Sequence, residues 1–325
     1  MKTKLSQFAL IILACLFTDH PSFSAAEPVA FKAPFGVAVG PDDRFYVAEI
    51  GGKRISKFDA ASDKIGEITR VEGYGDLQGP FSVKVDQAGK IYIADTLGHL
   101  VLVLGPDEKL LLKLGTGKPS AAPGAFHEPH FLAVRKHDGA IFVADTHNNR
   151  VQMFSKEGEL LKVLGSFGET GIGDYHFAGN VDVDDAGNLY SVSWTKGIVY
   201  TYDRDLKLTR KWGKIGNAPG QFSDAYGITW HAGALWFADT YNSRLQKFTP
   251  DGKLLQVVGG KQGSSLHEFN HPTSVAFNSK SEMYVADWKN DRVLKLTGDG
   301  HFLQQWGGPE ISMAYQPPKI HKRDR

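Results

Sequence analysis

The sequence predicts an all-β chain folded as a six-bladed β-propeller, each blade a four-stranded antiparallel sheet. Three observations carry that prediction. A short motif returns every 46 to 50 residues. Each return contains four short β-rich runs. Turn residues (Gly, Asp, Asn) separate the runs, as hairpins require.

The motif reads VAEIGGKR at 47–54, IADTLGHL at 93–100, VADTHNNR at 143–150, VSWTKGIV at 192–199, FADTYNSR at 237–244 and VADWKNDR at 285–292. Its acidic column is Glu49, Asp95, Asp145, Ser193, Asp239 and Asp287. Every copy opens with an apolar run after a proline or its equivalent, as in FHEPHFLAV (126–134) and FNHPTSVAF (269–277). A turn such as DDAGN (184–188) follows, then the VAD-like second strand. The third strand alternates, as in RVQMF (150–154) and RLQKF (244–248). A fourth run ends in glycine: LLKVLG (160–165), LLQVVG (254–259), FLQQWG (302–307).

One such meander cannot bury both its faces alone. Radial stacking of six lets each blade cover its neighbours and leaves only short protected edges. The apolar column Val37, Val83, Leu132, Val181, Ile228 and Val275 is the expected core between blades. The terminal glycines Gly115, Gly165, Gly213, Gly259 and Gly307 mark positions of positive φ or close backbone approach.

The polar cluster in VADTHNNR looks like chemistry but repeats like scaffold. The pairs Glu49/Arg54, Asp145/Arg150, Asp239/Arg244 and Asp287/Arg292 travel together, repeat four lacks both members (Ser193, Ile198), and repeat two keeps only Asp95. The acid is expected to hold the turn by accepting backbone N–H groups, and the arginine to pair with it, so that each pair fixes its own turn.

The pattern Pro-x-x-Val, (V/I)AD-x-x-N-x-R-(V/L)-Q-x-F and DG-x-L-L-x-x-x-G resembles the NHL repeat family, from about residue 31 to 307 and most clearly in repeats three, five and six. The resemblance implies the propeller but leaves function open, because such propellers serve as enzymes, sensors and interaction platforms. Among similar propellers, the lyases that cleave peptidyl-α-hydroxyglycine hold zinc with three histidines. Each follows the proline that opens an innermost strand. The matching positions here are Phe35, Phe81, His130, Gly179, Tyr226 and Thr273, so only His130 matches.

That column is nonetheless rich in aromatics, with Phe131 next in line. Phe35, Phe81, His130 and Tyr226 are expected at the mouth of the central channel, either lining a pocket or plugging it. Asn180, Asp224 and Thr273 lie nearby and could orient a polar ligand. The loops leading into the strands are long and Gly-rich, the usual place for binding. Five histidines (His127, His130, His176, His267, His271) fall in them. No cofactor is expected; were zinc or calcium held here, His127, His130 and His176 would be the candidate ligands.

Other motifs read as structure. His267-Glu268-Phe269-Asn270-His271 spells a zincin signature, but Pro272 disfavours the helix that signature needs. DVDDAGN at 182–188 has the acids of a calcium loop, yet its spacing fits a hairpin turn better. GTGK at 115–118 lacks the spacing of a phosphate cradle, and no G-x-S-x-G nucleophile elbow occurs.

Residues 1–26 read as a secretory signal peptide. Lys2 and Lys4 precede an apolar run from Phe8 to Phe17, and Ser24-Ala25-Ala26 offers a cleavage site before Glu27. A lipid anchor on Cys15, the only cysteine, is the alternative. The propeller itself is assigned to 27–308. The remainder, 309–325, is a basic, proline-containing tail that reads as disordered. Without leader and tail, 31 basic residues face 33 acidic ones. Near-neutrality excludes the electrostatic footprint of a nucleic-acid binder. The sequence therefore points to an exported (periplasmic or secreted) monomer. It would bind a peptide, a glycan or an envelope protein through its loop-rich face. A metal-assisted lyase or lactonase at the same mouth, or a pure scaffold, are the alternatives.

Overall fold

A computed structural model describes residues 29–165 and 178–309. The leader with Cys15, the tail from residue 310 and His176 lie outside the described residues. Six four-stranded antiparallel sheets follow one another in chain order. Blade one comprises Pro34–Val39, Phe45–Glu49, Arg54–Phe58 and Lys64–Ile68. Blade three comprises Pro129–Val134, Ile141–Asp145, Arg150–Phe154 and Leu160–Leu164. Blade six comprises Pro272–Phe277, Met283–Asp287, Arg292–Leu296 and Phe302–Gly307. Blades two, four and five repeat the arrangement, and the first strands pack against one another around the axis.

Burial follows strand position. The second strand of each blade is wholly buried, while the fourth alternates or is exposed. Side chains of adjacent blades meet in six apolar clusters, one per interface. Val83 and Ile93 of blade two meet Ala48 and Ile55 of blade one, for instance. The apolar column supplies this core as expected. All five terminal glycines have positive φ, from 67° to 93°. A Cβ on Gly259 would stand 2.6 Å from the ring of Phe269, the aromatic residue that opens blade six. Both reasons for glycine thus apply at once.

Among the described residues no strand is exchanged to close the ring. Blade six meets blade one through side chains. Thr273 Oγ1 donates to Phe35 O at 2.6 Å, and the indole of Trp306 donates to Ser62 O at 3.0 Å. Phe45 stacks on Phe58 at 4.2 Å, and Trp306 packs beside them.

Candidate functional site

The repeated polar motif is a clamp on the loop that leads into its own blade. In blade three, Asp145 accepts no backbone N–H of its own turn, which the sequence suggested it would. Its Oδ1 accepts the backbone N–H of His127 at 2.7 Å, eighteen residues upstream. Its Oδ2 takes Arg150 Nε at 2.7 Å, Asn148 Nδ2 at 2.9 Å and Gln152 Nε2 at 3.0 Å. Arg150 spends its other donors on the carbonyls of Ala121, Ala122 and Ala125. Burial pushes the Asp145 carboxyl up, and the donors from His127, Asn148 and Arg150 oppose that push.

The same correction applies to the other three pairs. Arg244 does pair with Asp239 at 2.7 Å, but the expectation that the pair serves its own turn alone does not hold. Contrary to that expectation, the Nη groups of Arg244 donate to Asn217 O, Ala218 O and Gln221 O, each at 2.9 Å and at least 23 residues upstream. Asp239 accepts the N–H of Ser223 in the same loop at 2.7 Å. The physical reason is that backbone already closes the turn. The N–H of Ser243 donates to Thr240 O at 3.1 Å, so no side chain is needed there. Likewise Arg292, 2.7 Å from Asp287, reaches the carbonyls of Ser264, Ser265 and Glu268, while Asp287 accepts the N–H of Asn270. Arg54, 2.8 Å from Glu49, reaches Ala30 O, while Glu49 accepts the N–H of Lys32. A buried ion pair of this kind fixes geometry more than it adds stability.

The clamped loops surround one end of the central channel, and that end is filled with aromatic rings. Phe35, Phe131 and Trp194 are buried there, with Phe81, Tyr226 and Trp288 packed on them and partly open to solvent. Phe35 sits at the centre, 4.7 Å from Phe81, 5.6 Å from Tyr226 and 5.5 Å from Trp288 between ring centroids. Trp194 meets Tyr226 edge-on at 4.2 Å. Around this floor stand Glu128, Asp224 and His271, each the residue before a first strand. Each has left-handed backbone, with φ of 51°, 47° and 60°. Burial pushes the Asp224 carboxyl up, and burial with the nearby Tyr241 pushes the Tyr226 hydroxyl up.

A histidine cluster occupies the blade-three side of the same face. His147 Nδ1 lies 3.1 Å from Glu128 Oε2, and the His127 and His147 rings meet at 5.1 Å. His130 stands behind them between Phe81 (4.5 Å) and Trp194 (4.9 Å). It is buried, and neither ring nitrogen has a hydrogen-bond partner. Burial holds its imidazole down to about 4, against the opposing pull of Glu128.

The chain resembles known proteins in part of its sequence and in its fold. The NHL repeat model fits residues 126–154, the blade-three stretch that carries the clamp's side chains Asp145, Asn148, Arg150 and Gln152. The chain is a six-bladed β-propeller with an NHL repeat in blade three. Mouse NHL repeat-containing protein 3 is 27% identical over 188 residues, covering 53% of this chain and 52% of the relative. A Caenorhabditis elegans protein named "Probable peptidyl-alpha-hydroxyglycine alpha-amidating lyase pgal-1" is 28% identical over 131 residues, 38% of this chain and 37% of the relative. The chain thus spans about half or less of the length of these curated relatives. Among solved structures, a streptogramin B lyase aligns with TM-score 0.60 at 14% identity, covering 87% of this chain and 85% of that one. An auxiliary nutrient binding protein from Bacteroides thetaiotaomicron aligns at 0.61 and 12%, covering 81% and 68%. Those structural likenesses show the fold.

Within this propeller the residues singled out from sequence take different places. Phe35, Phe81, His130, Phe131 and Tyr226 lie together at one end of the channel and fill it. Trp194 and Trp288 join them. Both stand in the repeated motif at the position that is threonine in Thr96, Thr146 and Thr240, which was the available signal. Thr273 and Asn180 are buried: the first bonds blade one, and the second accepts the N–H of Val181 at 2.6 Å. Asp224 remains at the rim. His127 and His130 are neighbours, and Glu128 and His147 complete their surroundings. His267–His271 forms turns and bends rather than helix. The acids of 182–188 do not converge. Asp184 Oδ1 accepts the N–H groups of Ala186 and Asn188, whereas Asp185 pairs with Lys136 and Asp182 faces the channel.

The opposite end of the channel is open. A cavity of about 380 Å³ lies between the far ends of the first strands, lined by Val39, Lys84, Asp182, Thr229 and Trp230 among others. Lys84 Nζ stands 3.7 Å from Asp182 Oδ2, which also accepts the N–H of Trp230 at 2.8 Å. No helix among the described residues is long and apolar enough to cross a membrane.

Proposed function

We propose that this propeller is an exported ligand-binding module that receives a peptide or glycan across its loop-rich face. The carrying observation is the aromatic floor with a polar rim: Phe81, Tyr226 and Trp288 partly open, Glu128, Asp224 and His271 around them. Rings supply stacking area at low entropic cost, and a few fixed polar groups supply orientation. Because the channel behind the floor is filled, the ligand lies across the face. Similarity to a nutrient binding protein accords with this reading. A lyase built on three axial histidines finds little support, since Phe35, Phe81, Gly179, Tyr226 and Thr273 occupy five of the six positions. Export rests on the leader at 1–26, and cell fractionation with mass analysis of the mature N-terminus tests it.

The binding experiment is a tryptophan-fluorescence titration against panels of short peptides and oligosaccharides. A saturable change is expected, lost in Trp288→Ala and weakened in Asp224→Asn. Binding that survives both changes but disappears in Lys84→Ala would move the site to the other end of the channel and overturn the proposal.

A further inference from the structure

We infer that His127, Glu128 and His147 form a binding site for a divalent transition-metal ion of the zinc class. One ligand atom from each residue lies within 4.8 Å of the other two, and all three side chains are partly accessible. Donors on one tetrahedral ion, with bonds of about 2.0–2.1 Å, sit roughly 3.3 Å apart. The Glu128–His147 separation of 3.1 Å is already of that order. Two imidazoles and a carboxylate suit zinc or cobalt rather than calcium, which takes six to eight oxygens.

The site is assembled by the fold and held rigid. Asp145 anchors the backbone of His127, and the N–H of His147 donates to His127 O at 3.2 Å, locking the turn of the motif to the lead-in loop. The N–H of Glu128 donates to His99 Nδ1 at 3.1 Å.

A second observation points to a ligand independently. His130 is 5% exposed with both ring nitrogens unpartnered, and its Nε2 lies 4.0 Å from Glu128 Oε2. A buried polar group without a partner is costly and rare. An ion on Glu128 would put a cation beside that unpartnered nitrogen, with His130 standing behind the three ligands rather than among them. This inference does not depend on the ligand-binding proposal.

The test uses the full chain, stripped with a chelator and titrated with Co2+, then displaced with Zn2+. One equivalent of Co2+ is expected, with visible absorption bands of nitrogen–oxygen coordination. Paramagnetic shifts in proton spectra of the unmutated protein should mark the imidazoles of His127 and His147. Affinity should fall roughly ten-fold or more in His147→Ala and Glu128→Gln, and stay unchanged in His267→Ala and His301→Ala. Circular dichroism and melting temperature of each variant separate metal loss from unfolding. Absence of uptake at micromolar metal, or unshifted His127 and His147 signals with metal bound elsewhere, would overturn the inference. Repeating the fluorescence titration on metal-stripped protein keeps the two proposals apart.

Discussion

Blades three and four are neighbours copied from one pattern, and they differ at three linked positions. Blade three has Asp145, Thr146 and Arg150; blade four has Ser193, Trp194 and Ile198. In blade three the acid and the arginine clamp the lead-in loop. In blade two the corresponding Thr96 donates to Pro129 O of the next blade at 2.6 Å, and Thr240 does the same for Pro272 O at 2.8 Å. Blade four gives up the clamp and that threonine together. In their place an indole packs over Gly179, where a Cβ would come within 1.8 Å of it. One blade thus trades a structural device for a bulky ring. That ring extends the aromatic floor: Trp194 bridges His130 on one side and Tyr226 on the other.

The largest effect expected from this contrast is at Arg150. Arg150→Met leaves Asp145 buried without its cation and should cost about 3–5 kcal/mol in urea unfolding. Ile198→Met, at the same place in blade four, should cost under about 1.5 kcal/mol. Equal losses would show that the clamp is not what distinguishes the two blades. Next is Trp194→Ala, expected to cost about 3 kcal/mol through the void it leaves and to loosen His130 and Tyr226, seen in their ring NMR signals. Gly179→Ala approaches the same contact from the other side. It should displace the indole, shift its fluorescence to the red and cost about 1–3 kcal/mol. An unchanged spectrum would contradict the packing described. Thr240→Val should cost about 1 kcal/mol by removing one interblade hydrogen bond, measured by the same unfolding curve.

The smallest effect serves as a control outside both blades. The Ser279 hydroxyl and backbone N–H hold the Asp43 carboxyl below its usual range. Its folded value is depressed, so the stability it adds is present above the ordinary carboxylate range and is lost as pH falls through the lowered value. Ser279→Ala should slightly lower stability at neutral pH, flatten acid unfolding in that window, and leave the aromatic ring signals of blades three and four untouched.

Periodicity made most of the architecture legible in the sequence. Six copies, their strand order, the buried column and the glycine ends all follow from spacing and turn chemistry. The clamp was legible as a pair but not in its target. Arg150 and Arg244 each reach three carbonyls in a loop, and their acids each reach a backbone N–H there; such groups carry no side-chain signature. His147 escaped notice as a neighbour of His127 since turn and loop meet only once the blade folds. The cavity at the open end had a readable sign: Lys84 and Asp182 fall in a column otherwise of Ala38, Ala133, Thr229 and Ala276. Opposite charges at a position of small residues mark side chains that reach across the axis.

The joint between the last and first blades behaves as a clasp rather than a weld. Since both partners complete their own sheets before they meet, neither terminus has to be threaded or shared for the other to form. A lineage carrying such a chain can gain or drop an entire copy without orphaning half a sheet.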